Sequence, residues 1–288
     1  MENTNVVIIG LGLIGGSFAK DLKRLHPNTK ILGIDTNKEH IDKAMSMGLI
    51  EAEIDYNGLL DVDMVLVATP VDVLVKELPK ILDAVGEETV VFDAGSTKSL
   101  VCKTVENHPK RRNFLATHPI AGTEFSGPEA AIENLYKGKT NIICEVEKTA
   151  FKLQEKALQL FNDMGMRIRY MNAEAHDKHI AYVSHLSHIS SFMLGKTVIE
   201  KEKNERDIFD MAGSGFESTV RLAKSSPAMW TPIFEQNKDN VIETLAEYIQ
   251  NLEKFKKMIE EDDFEGVHNE MNNTNKIKHI LNGIPLTK

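Results

Sequence analysis

The residue in this chain best suited to moving a proton is a histidine placed at the end of an apolar run. Phe114-Leu115-Ala116-Thr117 leads into His118-Pro119. At such a position an imidazole can take the proton of a substrate hydroxyl while hydride leaves the same carbon. A hydride acceptor is implied by the opening segment. There Val6-Val7-Ile8-Ile9 runs into Gly10-Leu11-Gly12-Leu13-Ile14-Gly15, a G-x-G-x-x-G pattern after a strand and before a helix. Gly10 allows the tight turn, Gly12 the close approach of a pyrophosphate, and Gly15 the packing of helix on strand. The helix expected to start near Gly15 points its N-terminal N–H groups and positive dipole end at the phosphates, and Leu13 and Ile14 of the loop are expected to touch the cofactor. Asp35 ends the next β-run, Lys30-Ile31-Leu32-Gly33-Ile34, 20 residues after Gly15, where a carboxylate accepts from a ribose hydroxyl. It would repel a 2′-phosphate and no Arg follows it, so NAD is expected rather than NADP.

Arg221 follows a glycine-containing break, Gly213-Ser214-Gly215, and suits a carboxylate clamp. His176, His179, His185 and His188 share one predicted helix starting at Asn172. At about 100° per residue the first two and the last two fall on opposite faces, so at most one pair is expected to face a ligand crevice. No further ligands fit a metal, and none is expected. Cys102 and Cys144 have no metal spacing and read as reduced thiols of a cytoplasmic protein.

Positioning these residues falls to alternating strands and helices. Strands are predicted over 62–67, 89–93 and 114–117, with helices over 38–47 and 72–84. The segments 141–144 and 167–170, flanking a helix at about 149–163, complete the far edge. This is a parallel sheet covered on both faces. Thr69-Pro70, Gly95-Ser96 and His118-Pro119 sit at carboxyl ends of strands and should converge beside the glycine loop. From Asn172 four or five helices are expected, one beginning at Ser226-Pro227 and continuing past Trp230 to Leu252. Their many apolar positions suggest a dimer. A net charge of −9 and the absence of a basic stripe exclude a nucleic-acid surface, and no apolar run reaches membrane-spanning length.

With these residues in place the chain resembles the prephenate dehydrogenases of tyrosine biosynthesis. The resemblance rests on Gly10 to Ser17, Asp93-Ala94-Gly95-Ser96-Thr97-Lys98, His118-Pro119-Ile120-Ala121-Gly122-Thr123-Glu124, Val183-Ser184-His185-Leu186-Ser187-His188, and Gly215-Phe216 through Arg221 to Trp230. It implies an α/β chain, with a Rossmann dinucleotide-binding domain over 1–171 and an all-α substrate and dimerisation domain over 172–288. It implies NAD-dependent oxidative decarboxylation of prephenate to 4-hydroxyphenylpyruvate by a homodimer. His118 would deprotonate the ring hydroxyl and Ser96 would position it. Arg221 would hold a substrate carboxylate, His188 and His185 would line the pocket, and Glu124 would act in gating. Thr69 and Pro70 would border the cofactor, and Trp230 would reach the partner subunit's site.

One departure concerns Arg221. The family commonly carries an Asp three residues before it, where this chain has Ser218, preceded by Glu217. No mutase segment precedes the glycine loop and no regulatory domain is expected before Lys288, so feedback by tyrosine would act at the active site. The alternatives are arogenate as substrate, a β-hydroxyacid dehydrogenase, which uses a lysine instead, and a non-catalytic NAD sensor.

Overall fold

The computed structural model describes residues 4–203, 205 and 207–282; Lys288, where the sequence ends, lies outside them. The chain begins with β1 (Asn5–Ile9), α1 (Leu13–Leu25), β2 (Lys30–Ile34), α2 (Lys38–Ser46), β3 (Ala52–Glu53), β4 (Met64–Val67), α3 (Val71–Ala84), β5 (Val90–Asp93) and α4 (Ser99–Thr104). It continues with β6 (Phe114–Pro119), β7 (Thr140–Cys144), α5 (Phe151–Asp163) and β8 (Arg167–Met171). Among the described residues the strands form one sheet in the order β3-β2-β1-β4-β5-β6-β7-β8. Its central strands are apolar on both faces, as a doubly covered parallel sheet requires. Val6, Ile8, Leu66 and Phe92 belong to one core. Val7, Ile9, Val65 and Val91 belong to the other, with Leu74, Leu78 and Val101 from α3 and α4.

The sheet departs from the all-parallel expectation at β7, which runs antiparallel to β6, pairing Ile142 with His118 and Asn141 with Pro119. A parallel pairing needs a helical crossover, and the 120–139 connection holds one three-residue 3₁₀ helix, Pro128–Ala130, with non-helical turns over 133–138. β8 then pairs parallel to β7 through α5. The same pairing draws His118 inside the strand rather than beyond its end. The β3 edge strand, two residues long, was not expected from the sequence.

Beyond β8 come α6 (Ala173–Ile180), a π-helical turn (Ala181–His185), α7 (Leu186–Glu202), α8 (Ser214–Val220), α9 (Pro227–Gln236), α10 (Lys238–Glu260), α11 (Phe264–Thr274) and α12 (Ile277–Asn282). Asn172 caps α6, its side chain accepting from Ala175 N at 2.6 Å. Two expectations are corrected here. The helix expected from Ser226 to Leu252 is broken at Asn237, and the described helices outnumber the four or five expected. By contacts the chain divides into Met1–Lys238 and Asp239–Lys288. The helices from Ala173 to Gln236 therefore pack with the sheet-bearing unit. The change at residue 172 is one of element type and not the place where packing separates. Within the second unit α10 and α11 are joined by a Lys254–Glu270 ion pair of 3.1 Å.

Candidate active site

Strand ends on both sides of the β1–β4 switch point supply the site. Gly10 adopts φ +95°, and a side chain there would meet the Ala68 carbonyl at 2.6 Å. At Gly15 a Cβ would lie 2.0 Å from the Gly10 carbonyl oxygen. Only glycine lets α1 start this close to the loop. In front of Gly12, by contrast, a Cβ would meet nothing within 4 Å. That space faces the first N–H groups of α1, at Leu13 and Ile14, which the helix leaves without internal acceptors. Thr69 Oγ1, just before the Pro70 cap of α3, is buried with no hydrogen-bond partner. An open cradle, free N–H groups and an orphaned hydroxyl together fit a dinucleotide pyrophosphate. Asp35 is fixed from below the loop: Oδ2 accepts from Leu11 N and Oδ1 from Asn37 N, both at 2.8 Å. Two oxygens with about four acceptor sites leave capacity for ribose hydroxyls. His40 Nδ1 lies 3.4 Å from Asp35 Oδ2, a neighbour that sequence reasoning missed.

Across the crevice, β5 and β6 are tied by a buried ion pair. Lys98 Nζ pairs with Asp93 and donates to the Thr117 carbonyl at 2.7 Å. Asp93 also accepts from Gly95 N at 2.9 Å and Thr117 N at 3.0 Å. Thr97 Oγ1 donates to Gln236 Oε1 at 2.7 Å. The loop carrying half-buried Ser96 is thus anchored at both ends.

His118, 8% exposed, has its Nδ1 2.8 Å from His176 Nε2, and His176 Nδ1 lies 2.8 Å from Asp177 Oδ1. Asp177 accepts from Lys98 N at 2.7 Å and Ser99 N at 2.8 Å. Burial pushes His118 well below the usual imidazole range, and His176, Lys98 and His185 push the same way. Burial also lowers His176 against the opposing pull of Asp177. Burial works to raise Asp177, but its bonds to His176, Ser99 and Lys98 outweigh it and hold the carboxyl low.

The expectation that only one histidine pair faces the crevice is corrected. His176 comes from the first pair, His185 and His188 from the second. The π turn holds one residue more than an α turn, which shifts the following helix by about 100°. His185 Nδ1 lies 3.2 Å from Asn237 Nδ2, which donates to the Asp177 carbonyl at 2.7 Å. Its Nε2 is buried without a partner, and burial lowers its pKa to about 4. His188 Nδ1 donates to the Ser184 carbonyl at 3.0 Å; burial lowers its pKa against the opposing pull of that bond, and the Arg221 charge adds to the lowering. Trp230 stacks on His188 at 3.5 Å between ring centroids, packed with Val71 and Ile233. Within its own chain it is 6% exposed.

Arg221 follows α8 in a short 3₁₀ turn, and its Nη1 donates to Glu124 Oε2 at 2.9 Å. Glu124 is held below the usual carboxylate range by its own backbone N–H and by Arg221, against burial. The acidic neighbour of Arg221 is therefore Glu124, 97 residues away, while Ser218 Oγ donates to the Gly215 carbonyl at 2.9 Å. His176, Asp177, Lys98, Asp93 and Asn237 were not singled out as site residues by sequence. The usable signals were the Asp93-to-Lys98 spacing and the adjacent His176-Asp177 pair.

Fold and site define a dinucleotide-binding oxidoreductase whose base faces a helical partner module. The chain matches family models described as prephenate dehydrogenase, nucleotide-binding domain, over residues 18–170, and prephenate dehydrogenase, dimerization domain, over 172–273. It is 32% identical to prephenate dehydrogenase of Bacillus subtilis, over 99% of this chain and 77% of that protein. It is 29% identical to cyclohexadienyl dehydrogenase of Zymomonas mobilis, over 90% of this chain and 89% of that one. A crystal structure of Aquifex aeolicus prephenate dehydrogenase, in complex with hydroxyphenyl propionate and NAD+, superposes with a TM-score of 0.86. That protein is 35% identical, with 97% of this chain and 98% of that chain covered. The chain belongs to the prephenate dehydrogenase family.

Proposed function

We infer that the chain is an NAD-dependent prephenate dehydrogenase, converting prephenate to 4-hydroxyphenylpyruvate and CO₂ in tyrosine biosynthesis. The observation that carries this is His118. It is buried at the carboxyl end of β6, and one ring nitrogen is already engaged by His176. With Nδ1 committed there, Nε2 is left to accept the proton of the ring hydroxyl. NAD, when bound, supplies the hydride acceptor. Gly10, Gly12, Leu13, Ile14 and Gly15 would hold its pyrophosphate, Asp35 its ribose, and Thr69 and Pro70 would border it. Arg221 binds a substrate carboxylate, exchanging Glu124 for it, while His188 and His185 line the pocket with Trp230 behind them. Ser96 positions the hydroxyl. Loss of the ring carboxylate as CO₂ follows, driven by aromatisation.

The domain assignment goes with this reading: residues 1–171 bind the cofactor, and 172–288 complete the substrate site and form a homodimer. The dimerization-domain description of the second family model supports it. Among the described residues no helix is long and apolar enough to cross a membrane, and Cys102 and Cys144 are buried free thiols. Both agree with a cytoplasmic enzyme. The test is reduced-cofactor absorbance on mixing protein and NAD with prephenate, beside arogenate. Reduction with prephenate is expected. Reduction with arogenate alone would leave the chemistry standing and replace the substrate. Silence with both would overturn the reading. His118→Asn should lower kcat by about 10²- to 10⁴-fold with the NAD Kd nearly unchanged; equal rates would remove the base.

A further inference from the structure

Proton transfer to His118 raises a problem that the geometry also answers. Its ring is enclosed, and the cationic Lys98 is close by, countered by Asp93. A positive charge left on His118 would therefore sit in a poorly solvated place. The groups whose charges bear on it are His176 from α6, Lys98 from the loop after β5 and His185 from the π turn; Asp93 pairs with Lys98, and Asp177 with His176. Of these, only His176 touches it with a ring nitrogen. Behind His176 stands an ionised carboxylate with two backbone N–H groups of its own.

We propose that His176 and Asp177 are positioning residues that fix the His118 tautomer and receive its charge through a two-step proton shift. The proposal rests on the dehydrogenase reading above. Asp177, acting as acceptor only, requires the His176 proton on Nδ1. His176 Nε2 is then a lone pair, so His118 must carry its own proton on Nδ1. His118 Nε2 is left as a lone pair for the substrate. When the substrate O–H bond breaks, its proton joins His118 Nε2. The His118 Nδ1 proton crosses 2.8 Å to His176 Nε2. His118 ends neutral, and His176 becomes an imidazolium bonded directly to Asp177. The count balances: one proton arrives at Nε2, one leaves Nδ1, and the charge comes to rest in an ion pair. The logic is that of a catalytic triad with an imidazole inserted. The two rings then titrate as a coupled pair.

The test uses the full-length protein and two variants. His176→Gln keeps an acceptor for His118 Nδ1 but cannot pass a proton; His176→Asn keeps a partner for Asp177 but leaves His118 untethered. In both, kcat with prephenate is expected to fall on the order of 10²-fold, with KM and the NAD Kd within about threefold. The acidic limb of the kcat/KM profile should move down by about one pH unit, because Asp177 no longer favours protonation of the base. Ring-nitrogen NMR of the wild-type protein should show both His118 and His176 protonated on Nδ1 at neutral pH. An unmoved acidic limb, or activity lost only in step with thermal stability, would overturn the proposal. So would a His118 proton on Nε2. Should prephenate itself prove inert, the NMR tautomers still decide the relay, so the two failures are distinguishable.

Discussion

Acid should destabilise this protein through a histidine that cannot be charged where it sits. His185 is fully buried, accepts at Nδ1 from Asn237, and meets Trp230 and Phe234 edge-on at 5.8 and 6.2 Å. Its pKa falls from 6.5 to about 4, chiefly through burial. Between those values the unfolded chain binds a proton that the native state refuses, so stability rises with pH across this window. At pH 5 the linkage amounts to about 2 kcal/mol, and at pH 7 to about 0.2 kcal/mol. His118 and His176, also lowered, act in the same sense. Asp177 acts separately, its contribution being lost only below the ordinary aspartate range. Urea unfolding at pH 7 and pH 5 should therefore show wild type losing at least about 2 kcal/mol. His185→Phe, whose ring suits the aromatic cluster, should lose about 2 kcal/mol less over the same interval. The fixed cost of the substitution cancels in that difference. Parallel losses in the two proteins would refute the reasoning.

Arg221→Gln should raise the KM for prephenate by about 10- to 100-fold, the loss of one charged hydrogen bond, with a smaller change in kcat. An unchanged KM would refute the clamp. Asp35→Ala removes the anchor of Leu11 N as well as a ribose acceptor. It should weaken NAD binding by about 10- to 100-fold and narrow the preference over NADP, read from cofactor titrations. An unaltered preference would count against the ribose role.

The α/β half was legible because its signals are local. Val6 to Ile9, Met64 to Val67 and Val90 to Asp93 are short apolar runs that helices separate, and doubly buried strands leave that imprint. The direction of β7 was not legible in the same way. It depends on whether residues 120–139 cross the sheet as a helix, and an apolar strand reads alike in either direction. The break at Asn237 was hidden for a related reason: apolar spacing continues through it. The residue there is spent on Asp177 and His185, two partners more than 50 residues distant in sequence.

The site shows the same division at higher stakes. The glycine loop, Asp35 and His118 could be found because each is defined by its place relative to a strand. The histidines of α6 and α7 could be counted but not aimed. A constant 100° per residue places His176 and His185 on opposite faces, nine residues apart. One extra residue in the turn Ala181–His185 undoes that, and nothing in Ala181-Tyr182-Val183-Ser184-His185 advertises a π turn. Such turns cost helix geometry, and they recur where a side chain must be re-aimed for function. Here the turn lets one continuous helical stretch present His176 to the catalytic histidine, and His185 and His188 to the Trp230 cluster. Replacing it by a regular α turn would rotate these groups apart. The irregularity that sequence periodicity could not register is thus the feature on which the assembly of the site depends.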